Sequence, residues 1–427
     1  MPNYKLLFLS LCLVTFSLSS CLEDSCDETR TFIEFELLYA HPEEFRIAPT
    51  FQEERALETP GKIYYINDMV MINERYEGIH IYDNSVPSSP EKIGFLAIPG
   101  NLDVSVRGNL LYADSYVDLV TIDISDLRNP TLLSRDELVF SVYSWFTDDL
   151  GYYIGTKETN RVEERSCEDE SVIFGSGRVF IDADGLGAFD NTAAPTGNTS
   201  TANEITGVGG SFARFSVIDN NLYVLNQRDL VAYSLTNPTA PVRTQTTTVS
   251  NQIETLFPYN EFLFIGSTDG MFIYDRVNPD APAYVSEFIH ANACDPVFVK
   301  DDIAYVTLRN GTQCQNFINQ LDVIDVSNIT NPTLIKSYDM DHPHGLTVVD
   351  NNLYICEGTF GLKVFETDDQ EDIDDNKIGE IKDVHAYDAI ALSSSHLLII
   401  GDDGLYQYDS SNPAELEEMS FIQTKND

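Results

Sequence analysis

Gly78-Ile79-His80-Ile81-Tyr82-Asp83 is the stretch that decides the fold, because similar phrases recur at intervals of about forty residues towards the C-terminus. The other copies end at Asp123, Ser234, Asp275, Asp325, Glu366 and Asp409. Each phrase is a short run rich in apolar and β-branched or aromatic residues and is followed by a turn-forming stretch, which is typical of a β-strand. An array of such units predicts an all-β protein, a β-propeller of four-stranded antiparallel blades.

The spacing of the phrases predicts eight repeat units. No phrase can be aligned between Asp123 and Ser234, and this gap of roughly 110 residues is long enough for two units plus a surplus. We therefore expect a degenerate third unit that carries an insertion at about residues 156–210. The propeller is predicted to cover residues 61–425, with eight blades preferred and seven as the alternative.

Carboxylates recur at the end of the repeated phrase. Asp83, Asp123 and Asp275 each precede a short stretch that contains proline. An Asp side chain accepts hydrogen bonds from nearby backbone amides, and proline prevents the strand from continuing. We interpret these repeated carboxylates as turn formers and not as catalytic groups.

The copy Leu321-Asp322-Val323-Ile324-Asp325-Val326-Ser327-Asn328, continued to Asn331-Pro332, resembles the phrase of the LVIVD-repeat proteins. That family consists of extracytoplasmic β-propellers that are common as lipoproteins of Bacteroidota. The resemblance spans nearly everything after Gly61, but it departs in the third unit and at Glu366, where an acidic loop replaces the usual turn. It implies a fold and a compartment, and no established activity.

The N-terminus predicts a lipoprotein. Lys5 precedes an apolar run over residues 6–18, and Leu18-Ser19-Ser20-Cys21 resembles a bacterial lipobox. We expect residues 1–20 to be a signal peptide, Cys21 to be lipidated, and residues 21–60 to form a lipid-anchored N-terminal segment. Glu23 and Asp24 resemble the export signal of surface lipoproteins. The predicted location is the outer membrane of the cell envelope, exposed at the surface, with a periplasm-facing orientation as the alternative.

The composition is strongly acidic, with 69 acidic against 25 basic residues and a formal net charge of −44. Such a surface repels nucleic acid phosphates and anionic lipid headgroups, which excludes both as partners of the folded surface. A protein or glycan at the cell surface is the expected partner. Much of this charge also serves to keep an exposed protein soluble.

Two of the cysteines are candidates for a disulfide, which an oxidising compartment outside the cytoplasm would permit. Cys294 and Cys314 are expected on one face of the same repeat unit, where a disulfide would close the loop between them. Cys356 lies within an apolar strand and is predicted to be a small buried side chain. The pairing of Cys26 with Cys167 stays open.

A second alignment selects one polar residue at the start of the innermost strand of each unit. These candidate binding residues are Lys62, Asp103, Ser144, Arg214, Glu254, Asp295, His344 and Asp388. Such a ring at the channel mouth has the chemistry to bind a polar or zwitterionic ligand or a metal ion. With eight blades, Arg214 would stand across the channel from Asp388. The alternative is that these residues are polar only because they face a water-filled channel.

No catalytic or cofactor motif was found in the sequence. The acidic stretches at residues 182–190 and 368–375 offer oxygen ligands for calcium, but they lack the alternating spacing of an EF-hand loop, so we predict no cofactor, with calcium as the alternative. The sequence therefore favours a binding or scaffolding module at the cell envelope. The alternative is an envelope enzyme that acts on a glycan or another extracellular substrate with the carboxylates and histidine of the channel mouth.

Overall fold

The structure is a computed structural model that describes residues 27–53, 55–140, 145–166, 207–211, 213–290, 296–310 and 319–425. The chain divides into two compact units, residues 1–36 with 156–181 and residues 37–155 with 182–427. The described part of the first unit, residues 27–36 and 156–166, is β-strand. The second unit contains the repeats.

Seven sheets of the second unit contain a four-stranded antiparallel blade. Blade 1 consists of β3 (Pro60–Ile66), β4 (Met69–Glu74), β5 (Gly78–Asp83) and β6 (Glu91–Ala97). Blade 2 consists of β7 (Val104–Arg107), β8 (Leu110–Ser115), β9 (Asp118–Asp123) and β10 (Thr131–Asp136). Blade 3 consists of β14 (Phe215–Ile218), β15 (Asn221–Asn226), β16 (Asp229–Ser234) and β17 (Val242–Thr248). Two short strands, β2 (Thr50–Gln52) and β13 (Val208–Gly209), extend blade 1 at its outer and inner edges.

The remaining four blades follow in chain order with the same internal arrangement. Blades 4 and 5 are formed by β18 (Ile253–Tyr259), β19 (Phe262–Ser267), β20 (Gly270–Asp275) and β21 (Ala283–Ile289), and by β22 (Val297–Lys300), β23 (Ile303–Leu308), β24 (Gln320–Asp325) and β25 (Thr333–Asp339). Blades 6 and 7 are formed by β26 (Leu346–Val349), β27 (Asn352–Cys356), β28 (Leu362–Glu366) and β29 (Lys377–Ile381), and by β30 (Ala386–Ser393), β31 (His396–Gly401), β32 (Gly404–Asp409) and β33 (Glu417–Gln423). The fold class predicted from the sequence is confirmed.

The eighth sheet differs from the blades, although eight sheets match the predicted number of units. It has three strands in the order β1 (Asp27–Ala40), β12 (Gly151–Ser166) and β11 (Phe146–Thr147). The innermost strands of blades 2 and 3, β7 and β14, contact each other directly. The third unit therefore does not stand between them as a four-stranded blade. The ring of neighbouring innermost strands runs through seven blades, which was the alternative count.

The repeated carboxylates form turns, as the sequence predicted. Oδ1 of Asp83, Asp123, Asp325 and Asp409 accepts the backbone N–H two residues later at 2.8 or 2.9 Å. Hydrogen bonds from Ser85 hold the pKa of Asp83 below its usual value. A β-bulge between the third and fourth strands recurs in each blade, for example between Ile81 and Tyr82. The bulge bends the fourth strand beside its turn and increases the local twist.

Neighbouring blades are joined by apolar packing and by single hydrogen bonds. Tyr112 of blade 2 donates from its hydroxyl to the carbonyl of Pro238 in blade 3 at 2.9 Å, and Tyr223 of blade 3 donates likewise to Pro279. Tyr112 also packs in one cluster with Phe215 and Val217. Burial of each such large apolar side chain stabilises the fold by roughly 1.5–3 kcal/mol. These contacts place blades 2 and 3 side by side.

The ring closes between whole blades and not through a shared strand. Blade 1 runs continuously through residues 60–97 and blade 7 through residues 386–423. The side chains of Asn84 and Gln407 exchange two hydrogen bonds of 2.9 and 2.7 Å across the closure. The backbone N–H of Lys425 donates to the carbonyl of Leu57 at 2.7 Å. Side chains and chain ends therefore seal the ring.

Helix is scarce in the described residues. It consists of α1 (Pro42–Phe45) and a 3₁₀ turn at Asp374–Asn376. Within the described ranges, no helix is long and apolar enough to cross a bilayer.

Candidate functional site

Several predicted residues lie outside the described part of the chain. They are Ser144 and Asp295 of the polar set, Cys21, and the predicted disulfide partners Cys294 and Cys314. Cys26 and Cys167 lie outside it as well, whereas Cys356 is buried and free as expected. The lipidation site and the disulfide thus stay predictions.

Three of the predicted polar residues lie together in a charge cluster between blades 1, 2 and 3. Lys62 and Asp103 are almost fully buried, and Nζ of Lys62 donates to Oδ2 of Asp103. The backbone N–H of Arg214 donates to the same carboxylate at 2.8 Å. Burial lowers the pKa of Lys62 to about 8, and the attraction of Asp103 only partly opposes this effect. The cluster is held by internal pairing.

Asp114 completes the charge cluster and was not among the predicted residues. Its Oδ2 accepts Nη2 of Arg214 at 2.8 Å, while its Oδ1 accepts the backbone N–H groups of Leu102 and Asp103 at 2.7 and 2.9 Å. Burial raises the pKa of Asp114, and the charge of Arg214 opposes this rise. The position of Arg214 across the channel from Asp388 stays a prediction; Arg214 itself bonds Asp103 and Asp114 of the preceding blade.

Asp388 lies in a different place, where it holds a segment of the long insertion. Its Oδ1 accepts the hydroxyl of Ser211 at 2.9 Å and the backbone N–H of Ser211 at 3.3 Å. The same hydroxyl oxygen accepts the backbone N–H of Leu346 at 2.9 Å. All three residues are buried. Asp388 therefore fixes one end of the insertion to blades 6 and 7.

The segment 207–211 runs along the innermost strands of four blades. Val208 and Gly209 pair with Tyr65 and Tyr64 of blade 1, and the N–H of Gly207 donates to Val106 of blade 2 at 3.2 Å. Together with the Ser211 contacts, this segment bridges blades 1, 2, 6 and 7 at their inner edges. The packing is close, since a Cβ on Gly207 would lie 2.1 Å from the Tyr64 ring. Part of the space inside the ring is therefore occupied by the protein's own chain.

His344 lies in a third group, with Arg309 and His342. Nη1 of Arg309 is 3.0 Å from Nδ1 of His344, and Nε2 of His344 is 3.1 Å from Nδ1 of His342. Because a guanidinium only donates hydrogen bonds, Nδ1 of His344 must be the acceptor, so its Nε2 carries the proton and donates to His342. This chain of bonds requires both imidazoles to be neutral. The histidines are therefore arranged as hydrogen-bonding groups.

Glu357 joins this histidine group to a groove on the protein surface. Its fully buried carboxylate accepts the backbone N–H of His342 at 2.6 Å and Nζ of Lys363 at 2.9 Å. Lys363 also bonds Asp341 at 2.6 Å, and although burial acts in the opposite direction, these two carboxylates raise its pKa. Glu254, the remaining predicted residue, lies half-buried in β18.

The groove between blades 5 and 6 has a volume of about 590 Å³, within the usual range of ligand pockets. Phe360, Lys363 and Lys377 contribute to its lining, together with acidic residues such as Asp341 and Glu380. Lys377 and Glu380 pair at 2.6 Å, so the charges largely satisfy one another. In the described residues, no group of His, Cys, Asp or Glu has an arrangement that would hold a metal ion.

Comparison with known proteins supports the repeat and the fold. Residues 101–135 and 292–340 match the family model of the LVIVD repeat, which confirms the resemblance, while the Bacteroidota type stays a prediction. No functionally curated protein matches the chain.

Three solved structures illustrate the similarity of fold. The computationally designed protein Ika8 gives a TM-score of 0.51 at 8% identity and covers 87% of this chain and 90% of its own. A protein of unknown function from Desulfotomaculum acetoxidans gives 0.49 at 11% identity, covering 85% and 95%. Hsv2 from Kluyveromyces lactis gives 0.47 at 11% identity, covering 86% and 99%. At such identities the similarity concerns the fold alone.

Proposed function

Because this chain carries LVIVD repeats in a propeller fold, we propose that it is a lipid-anchored binding or scaffolding module of the cell envelope. The observation that carries the proposal is the segment 207–211, which occupies space inside the ring and bonds blades 1, 2, 6 and 7. A ring filled in this way is suited to rigid presentation of its outer surfaces. Function then belongs to exposed loops and faces.

The charges predicted for the channel mouth support a structural role. The cations Lys62 and Arg214 are neutralised by the carboxylates of Asp103 and Asp114, and Asp388 holds Ser211. A general acid or base needs access to the reacting atom of a substrate. These residues are largely buried and are bonded to one another, so the geometry favours a binding module over an enzyme that acts at the channel mouth.

The proposed location rests on the sequence. Cys21 follows an apolar export segment, and the next residues include Glu23 and Asp24. Two or more acyl chains on Cys21 would anchor the protein stably to a membrane. The net charge of −44 disfavours direct adhesion of the folded surface to anionic lipid, so attachment through the lipid alone is the expected arrangement. We propose the outer membrane, with the propeller on the outside.

The lipid anchor is tested by Cys21→Ser in the native host, with Cys12→Ser as the matched control inside the signal segment. Wild type and Cys12→Ser should incorporate a labelled fatty acid and sediment with membranes. Cys21→Ser should do neither and should still fold, as judged by its β-sheet circular dichroism. Recovery of wild-type protein without lipid in the soluble fraction would contradict the anchor.

The orientation is tested by treating intact cells with a protease that does not cross the outer membrane. Digestion of the wild-type propeller in intact cells, with a periplasmic marker protected, is the expected result. Protection of the propeller until the outer membrane is opened would place it on the periplasmic side.

A further inference from the structure

Exposed apolar side chains gather around the three-stranded sheet of the third unit. Trp145, the single tryptophan of the chain, is 60% exposed. The other large apolar residues of this region with at least 40% exposure are Leu37, Ile47, Leu138, Phe146 and Leu150. We call these six residues the tryptophan surface. Contiguous exposed apolar area on a soluble protein usually marks an interaction site.

The aromatic residues of the tryptophan surface are held by ordered neighbours. The Trp145 ring meets Tyr39 edge-on with 6.4 Å between centroids, and Tyr39 meets Tyr153 at 6.0 Å. Phe146 packs on Tyr152 at 4.8 Å. The rings are thus fixed before any partner arrives, which reduces the entropy lost on binding. Exposed tryptophan supported in this way is typical of the centre of a protein interface.

The rim of the tryptophan surface is acidic. Exposed carboxylates adjoin its apolar residues along the chain, namely Glu36, Glu43, Glu44, Glu137, Asp148 and Asp149. The nearby cations are already paired, since Arg46 bonds Asp118 and Glu137 and Arg135 bonds Asp118. An apolar centre with a polar rim is the usual anatomy of a protein interface. Because the rim is negatively charged, it favours a partner whose own rim is positively charged.

We propose that the tryptophan surface docks a protein whose contact surface has an apolar centre and a rim of lysine or arginine. This inference rests on the proposed binding function and names its surface and partner chemistry. A second copy of the chain fits less well, because a two-fold interface would bring identical acidic rims together. Anionic lipid is disfavoured for the same electrostatic reason.

The partner is captured by a photo-crosslinking amino acid at position 145 in cells. The matched control carries it at Tyr284, a 53% exposed aromatic residue on the outer strand of blade 4. A protein captured from position 145 and not from position 284 is then purified, and its affinity is measured for wild type, Trp145→Ser and Tyr284→Ser. All three are made on the Cys21→Ser background, so the result is independent of lipid anchoring.

The proposal expects Trp145→Ser to weaken binding about thirtyfold, as for a central interface tryptophan, and Tyr284→Ser to leave it unchanged. Raising the salt from low to high concentration should weaken wild-type binding roughly tenfold because the rims attract each other. Equal capture from both positions, or affinity insensitive to Trp145 or to salt, would overturn the proposal. So would Trp145-dependent dimerisation, or Trp145-dependent binding to phosphatidylethanolamine vesicles in the absence of the partner.

The exposure itself has a direct readout, since Trp145 is the only tryptophan. The free protein should show the long-wavelength emission of a hydrated indole, readily quenched by acrylamide, and the captured partner should shift this emission to shorter wavelength. A blue-shifted, poorly quenched emission in the free protein would show that the chain covers its own tryptophan surface, and would overturn the proposal.

Discussion

Lys62 is predicted to make the stability of the fold depend on pH in the alkaline range. Its pKa is about 8 in the folded protein, against 10.5 for an ordinary lysine in an unfolded chain. Between these values the unfolded state holds a proton that the folded state has released, so the free energy of unfolding rises with pH. At 1.36 kcal/mol per pKa unit, Lys62 contributes a rise of about 3 kcal/mol.

The test is the substitution Lys62→Met, with urea unfolding followed by circular dichroism from pH 7 to pH 10. Wild type should gain stability relative to Lys62→Met as the pH rises, because methionine carries no proton. Lys382→Met, which removes an exposed lysine paired only with Glu380, should retain the wild-type rise. A stability difference between wild type and Lys62→Met that stays constant across this range would refute the reasoning.

Four further outcomes are expected. Arg214→Ala should lower the free energy of unfolding, because the buried carboxylate of Asp114 loses its guanidinium donor while the backbone N–H that bonds Asp103 is kept. It should leave partner retention by the folded protein unchanged; loss of partner at full stability would restore the channel mouth as a binding site, and Asp374→Ala serves as the exposed control. Glu74, whose pKa is held at about 2 by bonds to His80 and Thr59 despite burial, should lose its stabilising effect as the pH falls from 4.5 towards 2, and Glu74→Gln should remove that part of the acid sensitivity in urea titrations. Cys356, whose pKa burial raises, should react with a thiol reagent only on unfolding, so rapid labelling of native protein would contradict its burial. Cys294 and Cys314 should be linked in a non-reducing peptide map, worth about 3 kcal/mol by loop closure, whereas two free thiols would exclude the disulfide.

The blades were predictable because their signals are local. A short, mostly apolar run such as Gly78 to Asp83 marks a strand that is buried on both faces, and an Asp at its end forms the turn within two residues. Each of these signals lies inside one repeat unit. Their recurrence was therefore enough to predict the class of fold.

The third unit was not predictable in the same way. The third unit does contain a strand, β12, but this strand belongs to a sheet with β1, more than a hundred residues earlier in the chain. Such pairing leaves no periodic trace between the two segments. The regular spacing of the predicted polar residues therefore suggested a four-stranded third blade, which the described residues of that unit do not form.

The candidate site was predicted only in part. Polarity at Lys62, Asp103 and Asp388 was visible in the sequence, whereas their burial depends on Arg214 and Ser211, which reach Asp103 and Asp388 from distant segments. Exposure of Trp145 was not predictable either, because whether a side chain is covered depends on segments that are distant from it in the sequence. The burial of these polar residues and the exposure of Trp145 are both determined by contacts between segments of different repeat units.

The closure between complete blades has a consequence for the genetics of this architecture. Blade 1 and blade 7 share no strand, and the N–H of Lys425 bonds the carbonyl of Leu57. The same ring of blades could therefore be built by a chain that starts at a different blade. A short peptide bridge at that seam would let translation begin at another blade boundary without dividing any sheet. Circular permutation at a blade boundary is therefore compatible with this fold, whereas the segment 207–211 bonds the first two and the last two blades of the ring.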